Sequence, residues 1–231
     1  MSNLLKTELY KLFHNWYFWG IVIFNLFLSC ILLLDSKGKT SNMILASLYN
    51  IPILYFLVIV FIALFIGNDF GEKTLNTYIV AGHKRSFIFW IKVIVSQIGC
   101  IIIFAFPLLI HGIIGLFCIK EKNFLGDSLY TIIILILLAM ITMCTLPIFL
   151  AFIFHDMGKT LAVSMVLFFV MIFLMNSDYA QTISRILPMG QLRLISLQKT
   201  DSIKFFLIAD VLWNFIMYLI AGNAFLHTDL K

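Results

Sequence analysis

From Leu129 to Phe154 the chain carries no charged side chain. That run is longer than the roughly 20 residues needed to cross a bilayer's hydrocarbon core. Comparable apolar runs recur along the sequence. They predict six spans at about 16–34, 49–66, 87–118, 129–154, 160–175 and 205–225. Backbone groups inside lipid must be satisfied within the segment, and these runs are too long and too uniformly apolar for barrel strands. The expected fold is therefore an all-α membrane protein with six transmembrane helices in a single transmembrane domain, residues 1–231. Composition agrees: 62% of the 231 residues are apolar and only 12% charged. A soluble domain carries about twice that share of charge. No soluble domain and no internal repeat is visible.

The net charge of +5 suits Lys and Arg beside anionic headgroups. It does not point to nucleic acid, because no basic stripe is interleaved with exposed aromatics. Cys30, Cys100, Cys118 and Cys144 lie in or at the ends of apolar runs, without CxxC spacing, and read as small hydrophobes. The first apolar run is too long for a signal-peptide core and lacks a small-x-small cleavage site, so it reads as a retained span.

Ahead of the first span, Ser2 to His14 forms an amphipathic pattern. Leu5, Leu9, Leu12 and Phe13 share one face, with Lys6, Lys11 and His14 off it. Trp16, Tyr17 and Trp19 follow as an aromatic belt. Pro52 falls near the expected start of the second span, where a missing N–H is harmless. Pro107 falls inside the long third run and predicts a kink or break near Phe104. Residues 176–204 mix charges with apolar residues and are split by Pro188-Met189-Gly190. They predict two short amphipathic helices before the sixth span. Six spans put both termini on one side. The Lys and Arg tally is level over the whole chain, but up to Lys92 it favours the side of the termini, which is therefore expected to be cytoplasmic.

The longest polar interruption in the first half is GNDFGEKTLNTYIVAGHKRSFIFWIK, Gly67 to Lys92. It is not a phosphate-binding loop: Glu72 stands between Gly71 and Lys73, and a membrane span precedes it. Its local chemistry predicts a three-turn helix from Asp69 to Ala81. Asp69 and Glu72 resemble a capping box. Leu75, Tyr78 and Ile79 share one face, with Lys73, Asn76 and Thr77 on another. Gly82 suits a left-handed C-terminal cap, followed by His83, Lys84 and Arg85. The alternative is an ordinary connecting loop. Lys92 is expected to snorkel to the interface beside Trp90, so Lys6, Lys11, Trp16, Arg85 and Lys92 form the candidate interfacial anchors.

Asp210 is the acidic residue well inside a span, where a carboxylate costs about 2.5–3.5 kcal/mol on insertion scales. It either snorkels or pairs toward Lys204, or it serves a substrate path or gate. His111, in the third run, is either a packing residue or a proton relay. There is no HExxH, no GxSxG and no intramembrane aspartate pair, so no enzyme activity, resident cofactor or metal is expected in this chain.

Taken together, the chain resembles the membrane-spanning subunits of ABC-2 type transporters. The resemblance rests on the N-terminal amphipathic helix before six spans, on DFGEKTLNTYIVAGHKRSFIFWIKVIV, where Thr74, Leu75, Arg85 and Lys92 match that family's pattern, and on ISRILPMGQLR before span six. Lys73 stands where the family often has Gly. The resemblance implies a half-transporter that pairs with a second permease copy or a paralogue. Two separate ATPase subunits would bind ATP and Mg. Asp69, Glu72, Lys73, Thr74, Leu75, Tyr78 and Ile79 would lie on the coupling helix that meets the ATPase, and the segment before span six would form re-entrant extracellular helices. The small size is most similar to bacterial plasma-membrane exporters of antimicrobial or cytolytic amphipathic peptides, including lantibiotic-immunity and phenol-soluble-modulin exporters. Export of drugs, lipids or ions, or a non-transport sensor or assembly role, are the alternatives.

Overall fold

The computed structural model describes residues 2–35, 42–117, 129–176, 180–198 and 203–227. Of these, 92% are helical and none is in a strand. An N-terminal helix α1 (Ser2–Phe13) leads into the first long helix, α2 (Trp16–Asp35). The second long rod runs Met43–Gly71. It comprises α3 (Met43–Ile62), a π-helical turn (Ala63–Gly67) and the short α4 (Asn68–Gly71). A surface helix α5 (Thr74–Val80) follows, then α6 (Arg85–Phe117), α7 (Leu129–Phe154) and α8 (Met157–Met175). Two short helices, α9 (Ala180–Ile186) and α10 (Pro188–Ser196), precede α11 (Ile203–His227). Six of these helices are long and apolar enough to cross a membrane.

The bundle is built around the second span. Its apolar window is 78% buried, against 17% for α8 and for α11. The second span therefore packs against protein on most sides, while α8 and α11 keep broad apolar faces outward. Up-and-down connectivity brings α1, α5, the α7–α8 turn and the end of α11 to one end of the bundle, and the α9–α10 hairpin to the other.

Several expectations change. The second helix begins at Met43 rather than Tyr49, so Pro52 lies well inside it and not in its first turn. The break expected near Phe104 does not occur: α6 runs unbroken from Arg85 to Phe117 through Pro107. Proline removes the N–H that would bond the carbonyl four residues back, here that of Ile103. Asn25 of α2 supplies the missing donor, its Nδ2 lying 2.5 Å from that carbonyl oxygen. A neighbouring span thus satisfies the group that Pro107 leaves open, as lipid cannot.

A second polar network joins the third, fourth and sixth spans. Gln97 Nε2 donates to Tyr218 Oη at 2.5 Å, Asn214 Nδ2 donates to Thr142 Oγ1 at 2.7 Å, and Thr145 Oγ1 donates to Asn214 Oδ1 at 2.5 Å. Bonds of this kind hold spans together where water-driven apolar association is absent.

Two close approaches require glycine. A Cβ on Gly67 would lie 2.7 Å from the Met157 Cα, and one on Gly190 would lie 2.3 Å from the Ser184 Cα. The first seats the π turn against the start of α8. The second closes the α9–α10 hairpin. That hairpin is the pair of short helices expected around Pro188, which occupies the first turn of α10.

Candidate functional site

Leu5, Leu9 and Leu12 of the N-terminal helix pack on the core as expected, but Phe13 is exposed, and the most buried stripe of the helix is Leu4, Glu8 and Leu12. Glu8 sits in the middle of that stripe and is 1% exposed. A carboxylate held there needs a cation. Lys92 of α6, also 1% exposed, donates to Glu8 Oε2 at 2.5 Å. The same ammonium bonds Asp69, and Asp69 also takes Lys11 from α1. Lys92 lies over the ring of Phe65, 4.8 Å from its centroid. Two carboxylates and two ammoniums thus form an electrically neutral cluster. It fastens α1, the end of the second span and the third span to one another. Lys11 alone has a partly open side chain, 37% exposed.

The π turn explains why Asp69 can reach this cluster. A π turn inserts one extra residue, which rotates everything downstream by about 100° relative to an uninterrupted α-helix. Asp69 lies two residues past the end of that turn and faces inward at 1% exposure.

Three sequence expectations are corrected here. Asp69 caps no helix; its carboxylate is committed to the lysines, and the surface helix starts at Thr74. The expected Asp69–Ala81 helix is split into α4 and α5 at Lys73, which adopts φ 57, ψ 23. That left-handed conformation favours glycine. Lys92 does not snorkel: its ammonium is bonded to Glu8 and Asp69 and its side chain is buried in the protein.

The rest of the polar stretch takes up its places around the cluster. Thr74 Oγ1 donates to the Asp69 carbonyl at 3.2 Å, and Asn68 Nδ2 donates to the exposed Glu72 at 2.8 Å. Leu75 is buried, and Tyr78 and Ile79 pack on the core. The Tyr78 hydroxyl lies beside Glu8. Burial, reinforced by Glu8 and Asp69, holds it well above its ordinary value. α5 ends on Gly82, at φ +88, with His83 N bonding Tyr78 O at 3.1 Å and Gly82 N bonding Ile79 O at 3.0 Å. This is the Schellman closure that a left-handed glycine permits. The outward side of α5 carries Lys73, Thr77 and an 88% exposed Val80.

Beneath α5, Phe70, Phe89, Phe152 and Phe225 interlock, with centroids from 4.8 Å for Phe89–Phe152 to 6.2 Å for Phe89–Phe225. They tie the second, third, fourth and sixth spans at this end. His155, in the turn between α7 and α8, meets Phe70 edge to face at 4.6 Å. Burial holds its imidazole below the ordinary value, partly offset by a hydrogen bond with the Ile153 backbone.

The other candidate residues lie apart. Lys6 and Trp16 are exposed, Trp16 at 90%. Arg85 Nη1 donates to the Leu226 carbonyl at 3.3 Å, joining the start of α6 to the end of α11. His111 is far from the cluster along α6, between Ser47 Oγ at 3.0 Å and Cys30 Sγ at 3.4 Å, and so bridges the first three spans. Asp210 is buried, beside Gln191 of α10. Among the described residues no group of three or more His, Cys, Asp or Glu is placed to hold a metal.

Glu8 is the residue that the sequence reading missed. Its signal was present in the sequence: an acidic side chain with Leu4 and Leu12 four residues to either side shares their face of the helix.

No family model matches the chain, and no curated protein matches it. Six apolar helices, two of them fastened near one end to the N-terminal helix by a buried ionic cluster, define a multi-pass helical membrane protein.

Proposed function

We propose that the chain is the permease subunit of an ATP-driven exporter of the ABC-2 type, acting on amphipathic antimicrobial or cytolytic peptides. The end bearing α1 and α5 faces the cytoplasm of a bacterial cell. Two permease copies, or this chain and a paralogue, form the path, and two separate ATPase subunits bind ATP and Mg. The chain itself carries no catalytic residues.

The observation that carries this reading is the Glu8–Asp69–Lys11–Lys92 cluster. A surface helix receives force usefully only if it is rigidly joined to a span. α5 is anchored through Leu75 and through Thr74 to the Asp69 carbonyl, and Asp69 is bonded to Lys92 of the third span. Displacement of α5 is therefore transmitted to α6, with α1 moving as part of the same body. The outward side of α5, with Val80 exposed beside Thr77, is the face offered to the ATPase.

Val80→Asp combined with Thr77→Asp tests this. Both residues are exposed, so folding is retained, and the variant is expected to lose co-purification with the ATPase and the export of peptide. An unchanged ATPase yield and unchanged peptide accumulation in cells would remove the coupling assignment.

A further inference from the structure

At the end of the bundle opposite the ionic cluster, a cavity of about 150 Å³ lies between the second span, the fifth span and α10. Pro52, Ile53 and Ile172 form its apolar wall. Its polar rim is Arg193 of α10 and Asn176 at the end of α8. The Arg193 guanidinium stands over the Tyr49 ring, 5.2 Å from the centroid, and its Nη1 lies 3.4 Å from Asn176 Oδ1. No carboxylate among the described residues pairs with it. A cation at the mouth of an apolar pocket, held among the described residues by a ring face and one long hydrogen bond, is complementary to an anion carrying a hydrocarbon chain.

The depth of the site indicates which anion. The second helical rod is 29 residues long, about 43 Å at 1.5 Å per residue, against a hydrocarbon core of about 30 Å. Centred on that core, the rod would project about 7 Å at each end. Tyr49 lies six positions from Met43, about 9 Å along the helix, which puts the pocket at the boundary of headgroups and acyl chains. The volume is close to that of an apolar cavity that holds a single benzene ring, enough for a short stretch of alkyl chain and too small for a folded peptide. Ile53 is 44% exposed, so the pocket opens sideways toward lipid.

We infer that this pocket binds an anionic phospholipid of the adjacent leaflet, with its phosphate on Arg193 and the Asn176 amide and its upper acyl methylenes between Pro52, Ile53 and Ile172. The site is independent of the transport reading. It would fasten α10 to the lipid surface beside the second and fifth spans.

Native mass spectrometry of the intact protein, released from detergent with equal amounts of phosphatidylglycerol and phosphatidylcholine of matched chains, tests it. One retained phosphatidylglycerol is expected, favoured about five-fold over phosphatidylcholine, the contribution of one Arg near a headgroup. Arg193→Gln should abolish that preference, whereas Arg193→Lys, which keeps the charge, should retain it even if the Gln variant folds poorly. Ile172→Trp fills the cavity and should lower retention of both lipids while leaving the preference intact. Glycerol phosphate without acyl chains should not displace the lipid. Equal retention of the two lipids by the wild type, or an undiminished preference in a folded Arg193→Gln, would overturn the assignment. So would displacement by an amphipathic peptide with a free C-terminal carboxylate but not by its amide, since the pocket would then be a peptide site.

Discussion

Replacing Lys92 with Met keeps the aliphatic stem and removes only the ammonium. The ammonium is bonded to Glu8 and Asp69, both 1% exposed. Asp69 retains Lys11, but Glu8 retains no cation, and its Oε1 already lacks a partner. Breaking a buried pair in this way costs about 3–5 kcal/mol, most of it the uncompensated charge left behind. Glu8→Gln is milder. Lys92 keeps Asp69, and the loss is one charge-assisted hydrogen bond, about 1.5–3 kcal/mol. In the double variant the orphaned carboxylate is gone and Asp69–Lys11 remains balanced. Its cost should therefore fall short of the sum of the singles by more than about 0.5 and up to about 3 kcal/mol, the range for residues in one network. Unfolding in detergent, followed by tryptophan fluorescence, measures all three. Limited proteolysis should show α1 released first in Lys92→Met, because α1 is held through Glu8. Costs that add to within about 0.5 kcal/mol, with α1 still protected, would refute the claim that the cluster acts as one unit.

Asn25→Leu should leave the Ile103 carbonyl without a donor and cost about 1 kcal/mol. Adding Pro107→Ala, which restores a backbone N–H to that carbonyl, should recover much of the loss in the same unfolding assay. Gly190→Ala should strain the α9–α10 hairpin by about 1–3 kcal/mol, read as a lower melting temperature, since its Cβ meets the backbone of Ser184. His155 gives a pH signature. Its folded-state value lies below the ordinary 6.5, so stability is fully present above 6.5 and declines as pH falls through it, the unfolded imidazole binding its proton first. His155→Asn, which tolerates the φ of 50, should flatten the melting temperature across that window.

Much of this molecule was legible without its tertiary structure, for a physical reason. Lipid imposes helix on any long apolar run, so hydropathy alone placed all six long helices, and the Pro188 split placed α9 and α10. The caps were legible where they are local: Gly82 closes α5 through bonds within its own turn. What stayed hidden depended on residues distant in sequence. Asp69 looked like a cap until the π turn rotated it inward. Lys92 looked like an interfacial lysine until Glu8, 84 positions away in the chain, gave it a buried partner. Pro107 looked like a break until Asn25 closed its open carbonyl. Local pattern specifies which segments are helical and where they stop. Charges and unpaired carbonyls have no preferred neighbour until the spans pack, so only the tertiary structure decided that the polar stretch after the second span is bolted to the third span and to the N-terminal helix.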